Sequence, residues 1–460
     1  MSSAALPSRR EELRELWKLA LPVAIAQAGQ SLMSFVDTAV VSRAGTESLA
    51  AMGVSTAIYF AISSLAIGLM MGMDPLMSQA FGARNAPRAR ALLWQGSYLA
   101  LLAGCVLAVP MVVGVPWLLP LFGVGTQELP LVQDYLNWRA PSLPLMLLFI
   151  NTRSYLQAAA LTRPLVVATG VANLFNLGAD ILFVFGGEVL PAWCGPLRLF
   201  PALGVKGSAI ATLLCCVLQW AIVAWAVRQV PVPGGRPSVR PVRADLFQAL
   251  RVGIPIGLHI AAEVGVFSLA GLLARRLGPE SMSAHQIAIS YGSLSFTVAL
   301  GIGNAGSVRV GWAVGAHNTP LARLRGLMAF ASGAGFMSLC ALMFALFPEP
   351  LAHLMGTPPE VIPLVVPVLM VCAVFQISDG IQGVGAGVLR GAGETRFTFL
   401  ANMVGHYLVG LPVALLLGFW LKLGVVGIWW GLCVGLTAVA LALFWRFERQ
   451  SSGTFQPLEA

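Results

Sequence analysis

Asp37 is a carboxylate set well inside the apolar stretch 19–45, LALPVAIAQAGQSLMSFVDTAVVSRAG. Gln27, Gln30, Ser34 and Asp37 step by three, four and three, so they share one helical face. A charge at bilayer depth costs roughly 2.5–3.5 kcal/mol even on lenient scales, so such an acid marks a polar pathway or an ion site. The bland alternative is a packing stripe in which Asp37 is only hydrogen-bonded. Further acids fall inside apolar stretches at Asp180, Glu263 and Asp379. Asn173, Asn176 and Asp180 follow an i, i+3, i+7 pattern, His259 and Glu263 are i, i+4, and Gln376, Asp379 and Gln382 step by threes. If Asp37 and Asp180 share one cavity, like charges repel and the pair takes one proton, or one sodium ion with Asn oxygens around it. A structural hydrogen-bond network is the competing reading, and for His259–Glu263 it is an imidazole that keeps a buried acid satisfied. His406 reads as a satisfied core histidine. Asp74, beside Pro75, reads equally as a solvated helix end or a functional group.

These residues must be carried by membrane helices. The 460 residues are 57% hydrophobic and 10% charged with mean hydropathy +0.81, whereas soluble domains carry about 25% charged residues. Outer-membrane barrels alternate over strands of roughly ten residues, and the runs here are continuous and longer. About 20 apolar residues cross a bilayer as a helix. Twelve crossings fit, at 17–40, 49–73, 92–114, 131–158, 165–186, 204–228, 248–275, 283–310, 322–346, 361–388, 396–419 and 424–446. Polar Met1–Lys18 predicts no cleaved leader, and 8–18 reads as a short amphipathic helix on the membrane surface. The net charge is +9, and most of the 28 Lys and Arg fall inside on a topology with both termini cytoplasmic. That is the positive-inside bias rather than a nucleic-acid surface. Gly301–Gly306 matches GxGxxG inside an apolar helix with no strand before it, and no Cys/His spacing suggests zinc. The pairs Gly383/Gly387 and Gly427/Gly431/Gly435 read as close helix packing.

The halves repeat at a constant spacing of 233 residues: Pro22 meets Pro255, Arg43 meets Arg276, QAFGA (79–83) meets WAVGA (312–316), and LQAAALTR (156–163) meets LRGAGETR (389–396). The register then slips across GGEVLPAWCGPLR (186–198), so GVKGSA (204–209) meets GVVGIW (424–429). The reading is therefore a lobe over 1–230, a Pro/Gly/Arg-rich cytoplasmic linker over 231–246, and a second lobe over 247–460. Six crossings per half give parallel repeats, which place transport sites between halves. The acids are not repeated: Glu263 meets Gln30, Asp379 meets Met146, and Asp37 meets Ala270.

Four stretches together carry a resemblance: LALPVAIAQAGQSLMSFVDT, PLMSQAFGA, AHQIAISYGSLSF through RVGWAVGA, and GVLRGAGETRFTF. Over nearly its whole length the chain resembles the multidrug and toxin extrusion (MATE) family, in its NorM-like bacterial branch. The resemblance implies an all-α membrane protein of two six-helix bundles related by a pseudo-two-fold axis along the membrane normal. It implies a V-shaped, alternating-access exporter of lipophilic cations in the bacterial inner membrane, driven by protons or sodium. The family's acid of crossing one falls on Asp37, its crossing-five Asn and acid on Asn176 and Asp180, and its crossing-six threonine on Thr212. Its acids of crossings seven and ten fall on Glu263 and Asp379. The expected coupling site is Asp37, Asn176, Asp180 and Thr212; Glu263, Asp379, Gln30 and Gln376 form the expected second cation or substrate site. Sodium, if used, would sit at either acid pair. No cofactor and no enzymatic step are expected, and the expected partners are small molecules and membrane lipids around a monomer. The alternative is a flippase for a lipid-linked precursor, found in relatives of the same fold, which would favour cations in the lumen.

Overall fold

A computed structural model describes residues 6–119, 128–189, 191–233 and 237–458, which are helical and contain no strand. The principal helices are α1 (Arg9–Val41), α2 (Thr46–Gly82), α3 (Ala86–Val113), α4 (Leu129–Arg139), α5 (Ser142–Ala158), α6 (Arg163–Phe185), α7 (Val205–Ala226), α8 (Arg243–Arg276), α9 (Pro279–Gly315), α10 (Thr319–Leu346), α11 (Ile362–Gly391), α12 (Arg396–Trp420) and α13 (Gly424–Ser451). Among the described residues, eleven helices are long and apolar enough to cross a membrane. The expected crossing 131–158 is the exception, because it is split into α4 and α5. Pro141 and Pro144 lack the N–H groups that would continue the ladder, and their rings crowd the preceding turn. At the equivalent positions of α11 stand Val374 and Ile377, and that helix runs unbroken for 30 residues.

The backbone repeats as the sequence does. α2 and α9 each hold 37 residues, and α3 and α10 each hold 28. Gly45 and Gly278 open α2 and α9 at φ 122° and 118°, a region only glycine enters freely. Arg84 and His317, which are not glycines, take the left-handed turn at φ 57° and 54°. Each turn closes with the same pair of bonds: Arg84 N to Phe81 O and Asn85 N to Ala80 O, and His317 N to Val314 O and Asn318 N to Ala313 O.

The chain forms two compact units. The N-terminal unit holds Ile25–Met73 and Ala86–Leu250; the C-terminal unit holds Met1–Ala24, Asp74–Asn85 and Arg251–Ala460. Two pieces of the 1–230 half thus belong to the C-terminal unit. In the N-terminal unit, residues 239–245 of the linker are bound along α3. Gln95 donates to Arg240 O and accepts from Val242 N, Tyr98 donates to Val239 O, and Arg88 forks onto Asp245 at 2.7 and 2.6 Å.

In the C-terminal unit, residues 8–18 are not a separate surface helix. They are continuous with α1, and Leu16, Leu19 and Ala20 pack with Ile302, Val310 and Val388. Glu12 is 3% exposed, donor-bound by Arg309 and 3.5 Å from Arg325. Asp74, half-buried, lies 3.4 Å from Arg390, which also donates to Asn304. The glycine pairs set the close approaches: a Cβ at Gly387 would come within 2.3 Å of Gly303 O, and one at Gly431 within 2.3 Å of Ala414 N.

Breaking a buried ion pair by removing one partner costs about 3–5 kcal/mol. Glu12→Gln leaves Arg309 and Arg325 without their carboxylate, so its thermal unfolding in detergent should fall well below the parent's. An unchanged transition would contradict the buried pairing.

Candidate functional site

In the N-terminal unit, α1, α6 and α7 bring four sequence-selected residues together. Asn176 Nδ2 donates to Asp37 Oδ1 at 2.8 Å, and Thr212 Oγ1 reaches Asp37 Oδ2 at 3.3 Å while also bonding Ser208 O at 2.9 Å. Asp37, Asn176, Asp180 and Thr212 are 6%, 0%, 0% and 3% exposed. The approach of α1 to α6 depends on Gly29, since a Cβ there would lie 2.3 Å from Thr169 Cγ2. Asn173 Nδ2 donates to Gly29 O at 3.0 Å, and this fixes the register two turns before Asp37. Above the site Val40, Val41, Met52, Tyr135, Val184, Val205 and Ala209 pack together; below it Met33, Ala172 and Cys215 do the same. Those two apolar layers keep the polar group dry.

Asp180 faces Asp37, Ser208 and Asn176, yet neither of its oxygens takes a well-formed hydrogen bond from a described residue. Asn176 Oδ1 and Ser208 Oγ are likewise unpartnered there. A buried carboxylate without donors is far too costly to stand alone, and in practice it takes a proton or a cation. The chemistry available is therefore exchange of one cation for another.

Sequence reasoning missed Arg139 at the break between α4 and α5. Its guanidinium lies 4.1 Å over the Tyr59 ring and donates to Ser142 Oγ at 2.8 Å. No carboxylate pairs with it among the described residues, and the field of Asp37 reaches it. The available signal was an arginine one residue before Ala140-Pro141 inside an apolar run.

In the C-terminal unit, His259 Nε2 lies 3.4 Å from Glu263 Oε2 on α8, and Gln382 Nε2 of α11 lies 3.5 Å from the same His259 nitrogen. Asp379 is 5% exposed and within the field of Glu263. Gln376, grouped with Asp379 by spacing, accepts from Ser295 Oγ at 2.9 Å and touches Cys372, so its amide serves the α9–α11 contact. Gln382 stands at the acids instead. Gln30 is half-buried on α1 and belongs to the unit of Asp37, not to that of Glu263. His406 is 0% exposed, and neither ring nitrogen has a hydrogen-bond partner, which corrects its reading as a satisfied core histidine. It sits in a π-helical turn, Val404–Gly410, of a kind often found at functional sites. No group of three or more His, Cys, Asp or Glu among the described residues has the arrangement of a metal centre.

The MatE family model matches residues 22–182 and 255–416, which are the two repeats. The multidrug resistance protein NorM of Burkholderia vietnamiensis is 32% identical over 469 residues, covering 98% of this chain and 97% of that one. A probable multidrug resistance protein NorM of Rhodopseudomonas palustris is 34% identical over 459 residues, covering 96% and 92%. Among solved structures, an outward-facing multidrug resistance MATE family transporter of the MOP superfamily superposes with TM-score 0.84. Its identity is 21%, over 98% of this chain and 99% of that one.

Asn176→Leu strips Asp37 of its best donor and should cost about 1–3 kcal/mol. Asp180→Asn keeps the shape and removes a group with no partner, so it should unfold no earlier than the parent. Equal destabilisation by both, read by thermal unfolding in detergent, would make Asp180 a structural residue.

Proposed function

The chain belongs to the MatE family, and from that footing we propose that it is a multidrug exporter of the bacterial inner membrane, moving lipophilic cations outward in exchange for protons. The observation that carries this reading is Asp180, fully buried beside Asp37 with neither oxygen taking a well-formed hydrogen bond. Such a pair persists only when neutralised, by a proton or by the charge of a bound cation. Binding one expels the other. Coupling follows when the two occupied forms favour opposite orientations of an alternating-access transporter. One elementary charge crossing 100 mV supplies about 2.3 kcal/mol, a little under two decades of concentration at about 1.4 kcal/mol per decade.

On this reading Asp37, Asn176, Asp180 and Thr212 hold the coupling ion, with the proton preferred over sodium, and no further cofactor takes part. Glu263 and Asp379 supply a second cation or substrate site, with sodium as the alternative occupant there. Both termini are placed in the cytoplasm, and a single chain among lipids suffices. Arg139 favours a second reading, because a half-buried cation with no carboxylate pairing it among the described residues suits a phosphate headgroup, as in a lipid-linked-precursor flippase. Asp37, Asp180, Glu263 and Asp379, four acids set within apolar helices, make the exporter the better account.

The test is efflux of a fluorescent lipophilic cation from proteoliposomes under a pH gradient or a sodium gradient imposed separately. The pH gradient should drive transport, and Asp37→Asn, folded as judged by gel filtration, should fall to the protein-free background. Full activity in that variant would remove Asp37 from the coupling site. Failure of both gradients with scrambling of a lipid-linked phosphate would favour the flippase.

A further inference from the structure

Arg139 is a charged side chain within the N-terminal unit that the exchange at Asp37 and Asp180 does not use. Its place is fixed from three sides. The guanidinium lies 4.1 Å over the Tyr59 ring of α2 and donates to Ser142 Oγ of α5 at 2.8 Å. Tyr59 Oη and Ser142 Oγ are themselves 3.1 Å apart, which closes a ring of three side chains around the α4–α5 break. Cys216 of α7 lies against the same guanidinium. Tyr59, Ser142 and Cys216 are buried, and Arg139 is half-buried among them. Arginine does not lose its proton in proteins, so this is a permanent positive charge held in one position.

The same contacts put that charge beside the acids. Cys216 stands one helical turn beyond Thr212, whose hydroxyl reaches Asp37 Oδ2 at 3.3 Å. Residues four apart on a helix have Cβ atoms about 5–6 Å apart. Tyr135, one turn before Arg139 on α4, packs with Val40, Val41 and Val184 in the apolar layer above the acids. It lies within the fields of Arg139, Asp37 and Asp180 alike. Asp134, on the same helix, is exposed. No carboxylate pairs with Arg139 directly among the described residues, so its charge acts through space, and dry surroundings screen it little.

The charges then add simply. With both acids ionised, Asp37, Asp180 and Arg139 sum to one negative charge, and one monovalent cation makes the group neutral. A doubly charged ligand leaves an uncompensated positive charge in dry surroundings, which is costly. The acid pair without the arginine would hold two negative charges and would suit a dication.

We propose that Arg139 is the specificity residue of this site, setting its charge so that it accepts one positive charge and rejects dicationic ligands. This rests on the reading of Asp37 and Asp180 as the place where the exported cation binds. Arg139 acts on that ligand through the charge of the acids, without touching it, and narrows the substrate class to lipophilic monocations.

Two ligands of one shape and of permanent charge test this by equilibrium binding to the full-length protein in detergent. One is an N-alkyl-para-tolylpyridinium, a monocation. The other is the N-alkyl-N′-methylbipyridinium of the same chain length, a dication. The wild type should bind the monocation at least tenfold more tightly. Arg139→Gln should move that ratio at least tenfold toward the dication, and Arg139→Lys, which keeps the charge, should retain the wild-type ratio. A purely structural role would weaken both ligands together and leave the ratio unchanged. The wild-type comparison needs no variant to fold and stands by itself. Equal or tighter binding of the dication by the wild type, an unchanged ratio in Arg139→Gln, or a lysine variant that behaves as the glutamine variant would overturn the inference. So would wild-type binding of phenyl phosphate that Arg139→Gln abolishes, since the guanidinium would then hold an anion itself. Binding of neither cation by the wild type contradicts the export reading as well, whereas binding of both without discrimination contradicts this inference alone.

Discussion

The structure turns on a carboxyl group that cannot remain charged and alone where the fold has put it. Asp37 is held by Asn176 and Thr212, while Asp180, beside it, takes no well-formed hydrogen bond on either oxygen. The rest of the N-terminal unit serves that inequality. Gly29 lets α6 close on α1, Asn173 locks the register, and apolar layers above and below keep water from relieving the second acid. A dry, under-donated carboxyl beside a second acid is a poor structural device, and on the proposed reading it is the exchange site, because its stability depends on what neutralises it.

The two repeats share a backbone and differ in chemistry. Turns at Gly45 and Gly278, and at Arg84 and His317, have matching dihedrals, so loop geometry was retained. The side chains were not: in the repeat, Asp37 corresponds to Ala270, and Glu263 and Asp379 correspond to Gln30 and Met146. One scaffold thus presents an acid pair with amide and hydroxyl support in one unit, and acids with imidazoles in the other. The α4–α5 break adds a third difference, since Pro141 and Pro144 open the helix where α11 continues through Gln376 and Asp379. Arg139 occupies that break.

Much of this was legible in the sequence because helical spacing is a local property. Asn176 and Asp180 on one face, Asp37 on the stripe of α1, His259 with Glu263, and the glycine packing pairs all follow from residue periods. What escaped depends on which helix lies opposite. Spacing ranked Gln376 with Asp379, but α9 takes its amide and leaves Gln382 at the acids. Residues 8–18 have an amphipathic pattern that fits a membrane surface equally well, and only Arg309 and Arg325, some 300 positions away, decide that Glu12 is buried. His406 looked ordinary because the lack of a partner is a tertiary fact.

The central claim is that a proton and a cationic substrate compete for the Asp37–Asp180 pair. The most direct measurement is proton release when a lipophilic cation binds the detergent-solubilised protein in weakly buffered solution, followed with a pH indicator. The account predicts that binding acidifies the medium and that the release disappears in Asp180→Asn although the variant stays folded. Saturable cation binding with no release from the wild type, or undiminished release from Asp180→Asn, would contradict it.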